Sequence, residues 1–291
     1  MDQKKENILN MGPIDHLVHC TTRIESTTKD GKGSCGTGFF MNFLEENGKS
    51  IPAIVSNKHV IKDALSGGFN LTLKGSDGKP LIGNHKKFTF NNFESLWIKH
   101  PSDKVDLAIF LLGPLLNEVK DSGAEIFFTP LSKAIIPEND VRESLSPMED
   151  IIMIGYPSGI WDSLNNLPVI RRGVTATHPY INWNGKLEFL TDIASYPGSS
   201  GSPVLLANLN GFSDRNGNTF ITGKRILLLG IHYAGAMHTA EGEIAIVTTP
   251  TSLMPIPITQ IPNNIGVAIN SNCLLEFEPI IKSLLPPTLN V

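Results

Sequence analysis

Strand-length apolar runs, set close along the chain and separated by turn residues, constrain the fold of this sequence more than any other feature. Examples are "GTGFFMNF", "IPAIVS", "DLAIFLL", "DIIMIGYP", "KLEFLTDI", "RILLLGIHY", "EIAIVTT" and "IGVAIN". Each is short for a helix, and β-branched or aromatic residues are frequent in them. Between them stand Asn47-Gly48, Asp77-Gly78, Asn184-Gly185, Asn210-Gly211 and Asn216-Gly217, pairs that accept the positive φ of tight hairpins. Many short strands without intervening helical periods predict barrels or sandwiches rather than alternating βαβ units. The predicted class is all-β.

The rhythm breaks once. Residues 113–148 gather prolines and charge, and read as a linker between one β unit over 14–112 and another over 149–257. Residues 258–291 add a strand and then "NCLLEFEPIIKSLL", whose apolar residues recur at helical spacing. A C-terminal helix is predicted there, with Pro279 in or near its first turn.

Composition closes off several functions. The formal net charge is -4 at pH 7, and no Lys/Arg stripe suits a phosphate backbone, so nucleic acid is not an expected partner. No apolar run reaches the roughly 20 residues of a membrane helix, so no membrane partner is expected. Cys20, Cys35 and Cys273 cannot form a full disulfide framework. Together with the polar opening "MDQKKENILNMGPIDH", this predicts a cytoplasmic, reducing location. The histidines and cysteines show no metal-ligand spacing. "GKGSCG" at 31–36 matches a dinucleotide-loop pattern but opens a strand rather than a helix. No metal or cofactor is expected.

One stretch suggests chemistry. "SYPGSSGSPVLL", 195–206, crowds small residues before an apolar run, which is either plain turn material or a nucleophile on a tight bend. A serine nucleophile needs a general base, and the base needs an orienting group. His59, in "PAIVSNKHVIKDA", sits just after an apolar strand where a helical turn begins. Asp106, in "SDKVDLAIFLL", heads a strongly apolar run, a costly place for a carboxylate unless a partner uses it.

"VSNKHVI", "VDLAIF" and "GSSGSPV" occur in the order His, Asp, Ser, with 47 residues from His59 to Asp106 and 94 from there to Ser200. In order and spacing the chain resembles the chymotrypsin-fold, trypsin-like serine peptidases. "GTGFF" at 36–40 is similar to that family's strand before the histidine, and "MIGYPSG" at 153–159 to the start of the second barrel in bacterial members. The resemblance implies two six-stranded antiparallel β-barrels with the active site between them. It implies an endopeptidase acting on protein or peptide substrates, with His59, Asp106 and Ser200 as triad and the N–H groups of Gly198 and Ser200 as oxyanion hole. Position 199 is Ser where secreted digestive relatives carry the Asp of their zymogen switch, and Val60 stands where many of them have cysteine. Both departures point to the glutamyl endopeptidases and to intracellular bacterial branches.

"GIHYAG" at 230–235 is similar to the Gly-x-His signature of peptidases that cleave after Glu or Gln. On that resemblance His232 and Ser195 line the specificity pocket. A protonated His232 would favour Glu and lose it above the ordinary imidazole pKa near 6.5, whereas Gln needs only a neutral donor. The pair Arg171-Arg172 reads by default as exposed strand residues, with a position facing a cleft as the alternative. Two alternatives stay open, a catalytically silent peptide-binding protein on the same fold and a peptidase that waits for an activating protein partner.

Overall fold

The computed structural model describes residues 11–220, 222–241 and 258–285. The N-terminal half is one antiparallel sheet built from β1 (Thr21–Thr28), β2 (Gly33–Glu46), β3 (Lys49–Ser56), β4 (Ala64–Lys74), β5 (Pro80–Asn91), β6 (Ile98–Lys99), β7 (Ala108–Leu111) and β8 (Ile126–Phe127). Its order is β5-β4-β1-β2-β3-β7-β6, with β8 paired to β4. The C-terminal half uses β9 (Asp150–Gly155), β10 (Val169–Thr175), β11 (Glu188–Asp192) and β12 (Pro203–Asn208). A small hairpin of β13 (Phe212–Ser213) and β14 (Thr219–Phe220) follows, then β15 (Arg225–Glu241) and β16 (Ile258–Asn270). Six of these close into a barrel in the order β10-β11-β16-β15-β12-β9. The run "EIAIVTT" at 243–249 lies outside the described residues.

The expectation of two six-stranded barrels needs correcting, because only the C-terminal one closes. In the N-terminal sheet the edge strands β5 and β6 do not pair. β6 has only two residues, both paired to β7, and most of β5 is exposed. Between them a 3-10 turn, Phe93–Leu96, turns Phe93 and Trp97 inward. Their rings lie 5.7 Å apart, and Trp97 lies 5.6 Å from Phe110. Aromatic packing fills the seam where backbone pairing would have closed it.

Several strands are buried on both faces. In β2, Phe39, Met41 and Phe43 face one core and Phe40 faces another; in β3, Ala53 and Val55 part from Ile54 in the same way. β12 divides likewise, with Leu205 on one side and Val204 and Leu206 on the other. Side chains alternate across a strand, so each half has a core of its own and both face a third core between them. This explains why "GFFMNF" and "PVLLA" are continuous rather than alternating in hydropathy.

Residues 113–148 hold a helix (Gly113–Asp121), β8, a 3-10 turn (Lys133–Ile135) and a second short helix (Asn139–Ser144). The C-terminal helix spans Phe277–Leu284, with Pro279 in its first turn, where no N–H is needed. It buries Phe277 and Ile281 in the shared core. Leu44 N–H donates to Glu278 Oε1 (3.2 Å) and locks the helix to β2.

Candidate active site

The register of β3 against β7 builds the first half of the site. Ser56 pairs with Ala108, so residues leaving β3 run beside those entering β7. Asn57 Nδ2 donates to the Asp106 carbonyl oxygen (2.7 Å), and Lys58 Nζ donates to that of Ser102 (2.9 Å). A one-turn helix, Lys58–Ile61, buries Val60 and Ile61 and leaves His59 on its open side. The Asp106 carboxylate engages His59 twice. Oδ1 accepts from the backbone N–H (3.1 Å), and Oδ2 lies 2.5 Å from Nδ1. A carboxylate only accepts, so Nδ1 carries the proton and Nε2 is left to act as a base. The His59 side chain is 45% exposed, open enough to receive a substrate.

Ser200 comes from the other half, on the turn before β12. Gly198 and Gly201 hold positive φ, +88° and +87°, a region disfavoured for any residue with a Cβ. A Cβ on Gly201 would also come within 1.9 Å of the Thr37 carbonyl oxygen and 2.6 Å of Ser56 Oγ. The serine turn therefore rests directly on the strand end that leads to His59. Thr37 fastens the two halves. Its N–H donates to the Ser200 carbonyl (2.8 Å), its Oγ1 donates to the Gly198 carbonyl (2.9 Å), and Oγ1 accepts from Tyr156 N–H (3.2 Å).

Along this turn the N–H groups of Ser199, Gly201 and Ser202 find backbone acceptors. Those of Gly198 and Ser200 find none among the described residues, though Gly198 is buried. Ser200 Oγ donates to the Tyr233 carbonyl oxygen (3.2 Å), not to the His59 ring. Such nucleophile–base bonds are often loose in a free enzyme and close around substrate. A cleft of about 630 Å³ opens beside Asp106, between Val105, Leu187, Glu188, Tyr233 and Ile269. A larger hollow of about 910 Å³, around Asp63, Glu94 and Lys99, includes none of these site residues in its lining.

Ser195 and His232 meet in the barrel interior, with Ser195 Oγ 2.8 Å from His232 Nε2. Both residues are buried. Gly235, exposed, stands over the pair, and a Cβ there would lie 2.8 Å from Ser195 Oγ. The missing side chain keeps the space above Ser195 open. Burial pushes His232 down to about 3, and the neighbouring Arg171 and His59 push the same way. Burial thus works against the protonated His232 expected from the sequence and favours the neutral ring.

Two site residues escaped the sequence reading. Thr37 is one, since its part depends on the docking of the two halves. Arg171 is the other. Arg172 is exposed and pairs with Asp150 (3.2 Å), but Arg171 turns inward, and its Nη1 donates to the Ala194 carbonyl (2.6 Å) and Ser199 Oγ (2.8 Å). Strand alternation, which places neighbours on opposite faces, was the available signal. Among the described residues no cluster of three His, Cys, Asp or Glu side chains could hold a metal ion, and no helix is long and apolar enough to cross a membrane.

No curated protein sequence matches. The chain is similar to the solved structures of the HtrA-type protease AlgW with a tripeptide (15% identity, TM-score 0.44), covering 92% of this chain and 62% of that one. For the Rv3671c protease from M. tuberculosis in its active form the figures are 14% identity, TM-score 0.43, 90% and 81%. For Deg5 they are 17% identity, TM-score 0.39, 80% and 87%. The chain thus spans less than two thirds of the AlgW chain's length. The sequence model of the trypsin-like peptidase domain matches residues 36–210, more than half of the chain and the whole span from the strand before His59 to β12. This chain belongs to the trypsin-like peptidase family.

Proposed function

We propose that the protein is a serine endopeptidase in which Ser200 is the nucleophile, His59 the general base and Asp106 its orienting partner. The observation that carries this reading is the double contact of Asp106 with His59, beside a serine turn with two unpartnered N–H groups. Ser200 Oγ adds to the scissile carbonyl carbon while His59 Nε2 takes its proton. The carbonyl oxygen becomes an oxyanion held by the N–H groups of Gly198 and Ser200. The C–N bond then breaks, His59 returns the proton to the leaving amine, and an acyl-enzyme on Ser200 remains. Water, deprotonated by His59, hydrolyses that ester and restores the hydroxyl. Ser195 and His232 form the floor of a pocket for a Glu or Gln side chain before the scissile bond, since both offer polar atoms that an apolar residue would leave unpaired.

The test is a fluorophosphonate probe combined with cleavage-site profiling on a peptide library. Labelling that is lost in Ser200→Ala, with cleavage after Glu or Gln, supports the reading. No labelling under any condition points to a silent peptide-binding protein. Cleavage after Arg, Lys or large aromatic residues removes the proposed pocket.

A second reading rests on the bond from Ser200 Oγ to the Tyr233 carbonyl. On this reading the peptidase idles until a substrate or protein partner swings Ser200 toward His59. Labelling that accelerates strongly when a bound peptide occupies the cleft beside Asp106 would favour it. We also place the protein in a reducing, cytoplasmic compartment, supported by three free cysteines of which two are buried. Fractionation of cells expressing the protein tests that placement.

A further inference from the structure

One tight turn leads into Ser200 and carries the N–H of Gly198. Residues 196–199 read "YPGS", and Ser199 N–H donates to the Tyr196 carbonyl (3.0 Å). Proline in the second place and a glycine at φ +88° in the third make this a type II turn. Its central peptide matters for the chemistry. In a type I turn the Pro197–Gly198 plane would be rotated by about 150°, and Gly198 N–H would point away from its present direction. One of the two unpartnered donors beside the nucleophile would then be lost. Ser158 N–H donates to the Pro197 carbonyl (2.5 Å) and holds that plane from one side.

The ends of the turn are held by Arg171, which projects from β10 opposite Met153 of β9. Its Nη1 donates to the Ala194 carbonyl (2.6 Å), just ahead of the turn, and to Oγ of Ser199 (2.8 Å), the last turn residue. Ser199 is fully buried. Its Oγ also accepts from the N–H of Tyr196 (3.3 Å), the first turn residue. One guanidinium nitrogen thus gathers the entry, the start and the end of the turn at a single point. Nε and Nη2 are sealed from solvent and meet no acceptor among the described residues, so Arg171 has no donor to offer a substrate. Hydrogen bonds from a charged donor are roughly twice as strong as neutral ones, which suits a group that must hold a strained loop.

Resting on the peptidase reading above, we propose that Arg171 is a positioning residue for the oxyanion hole. Through Ser199 it keeps residues 196–199 in the type II form and so keeps Gly198 N–H aimed at the developing oxyanion. It touches neither the substrate nor the reacting atoms. A turn free to flip lacks the Gly198 donor for part of the time. Binding of the substrate before reaction does not need that donor, but the tetrahedral transition state does. Loss of Arg171 should therefore lower kcat and leave KM nearly unchanged.

The experiment uses a peptide found by cleavage profiling and a boronate of the same peptide, whose tetrahedral adduct imitates the oxyanion intermediate. kcat, KM and boronate affinity are measured for the wild type, Arg171→Met, Arg171→Lys, Ser199→Ala and the double variant Arg171→Met/Ser199→Ala. Urea unfolding shows which variants are folded. Arg171→Met should lose about 10²–10³ in kcat, the range for one missing oxyanion donor, and boronate affinity should fall in parallel. Arg171→Lys keeps a charged donor and should recover part of both. Ser199→Ala should act in the same direction, and adding it to Arg171→Met should cost nothing further, because one residue acts through the other. A folded Arg171→Met enzyme with wild-type kcat overturns the proposal, as does one that raises KM while kcat holds. A fall in kcat without loss of boronate affinity also overturns it, as do losses that multiply in the double variant. If Arg171→Met does not fold, Ser199→Ala decides: parallel losses in kcat and boronate affinity support the proposal, and wild-type values overturn it. A wild type that the fluorophosphonate never labels overturns the peptidase reading and this one with it, whereas a labelled enzyme whose variants match the wild type overturns this one alone.

Discussion

At the scale of single residues, the site depends on contacts that each fix one atom. Asp106 holds the His59 ring with Nδ1 protonated, so Asp106→Asn, which can present an N–H to Nδ1, should favour the wrong tautomer. Turnover should fall by about 10⁴ with the fold intact, as measured by kcat/KM on a peptide together with near-UV circular dichroism. Near-normal activity in Asp106→Asn, with loss in Asp103→Asn instead, would reassign the orienting residue. Thr37 makes a second prediction. Thr37→Val keeps the shape but removes the Oγ1 bonds to the Gly198 carbonyl and from the Tyr156 N–H. It should cost about 1–3 kcal/mol of stability and lower kcat more than it raises KM, while Thr37→Ser restores both. The proposed triad could be read from the sequence because a candidate nucleophile, base and carboxylate come in a fixed chain order beside distinctive neighbours, and the structure brings His59 and Asp106 together. Thr37 and Arg171 could not, because a threonine or an arginine in a strand has no local signature. Their roles arise only when the Gly198–Gly201 turn is laid against β2 and β10.

At the scale of elements, strands were legible and closure was not. Alternation and turn pairs mark where strands begin and end. Whether a sheet's edges meet depends on the length of the last strand, and β6 with two residues has no pattern to read. The C-terminal helix was legible from its helical spacing of apolar residues, although its docking site was not. That helix joins both halves, since Phe277 packs near Phe43 of β2 (6.3 Å between centroids) and against the edge of the His100 ring (5.3 Å). His100 Nε2 in turn donates to the Cys273 carbonyl (3.2 Å). Phe277→Ala should therefore cost about 3–5 kcal/mol, the range for an emptied aromatic core site. Urea unfolding followed by tryptophan fluorescence measures it. A loss below about 1 kcal/mol would mean that the helix is a surface appendage rather than part of the shared core.

At the scale of the whole molecule, burial acts on several histidines in the same direction, against the charged ring. His232 is the extreme case: its ring titrates near 6.5 when free and near 3 in the folded chain, chiefly because burial penalises the imidazolium. His19, His100 and His178 are lowered for the same main reason. Below pH 6.5 the unfolded chain gains a proton at His232 that the folded chain refuses. This contribution to stability is complete above 6.5 and is lost as pH falls from there toward 3. From pH 6.5 to 5 it amounts to about 2 kcal/mol for His232. His232→Gln, which can still hydrogen-bond Ser195 but cannot titrate, should start less stable at pH 7.5 and lose less on acidification. Urea midpoints at pH 7.5, 6.5 and 5.0 for both proteins measure this. Parallel losses in the two would show that His232 accepts its proton within the fold, and would reopen the charge of the pocket.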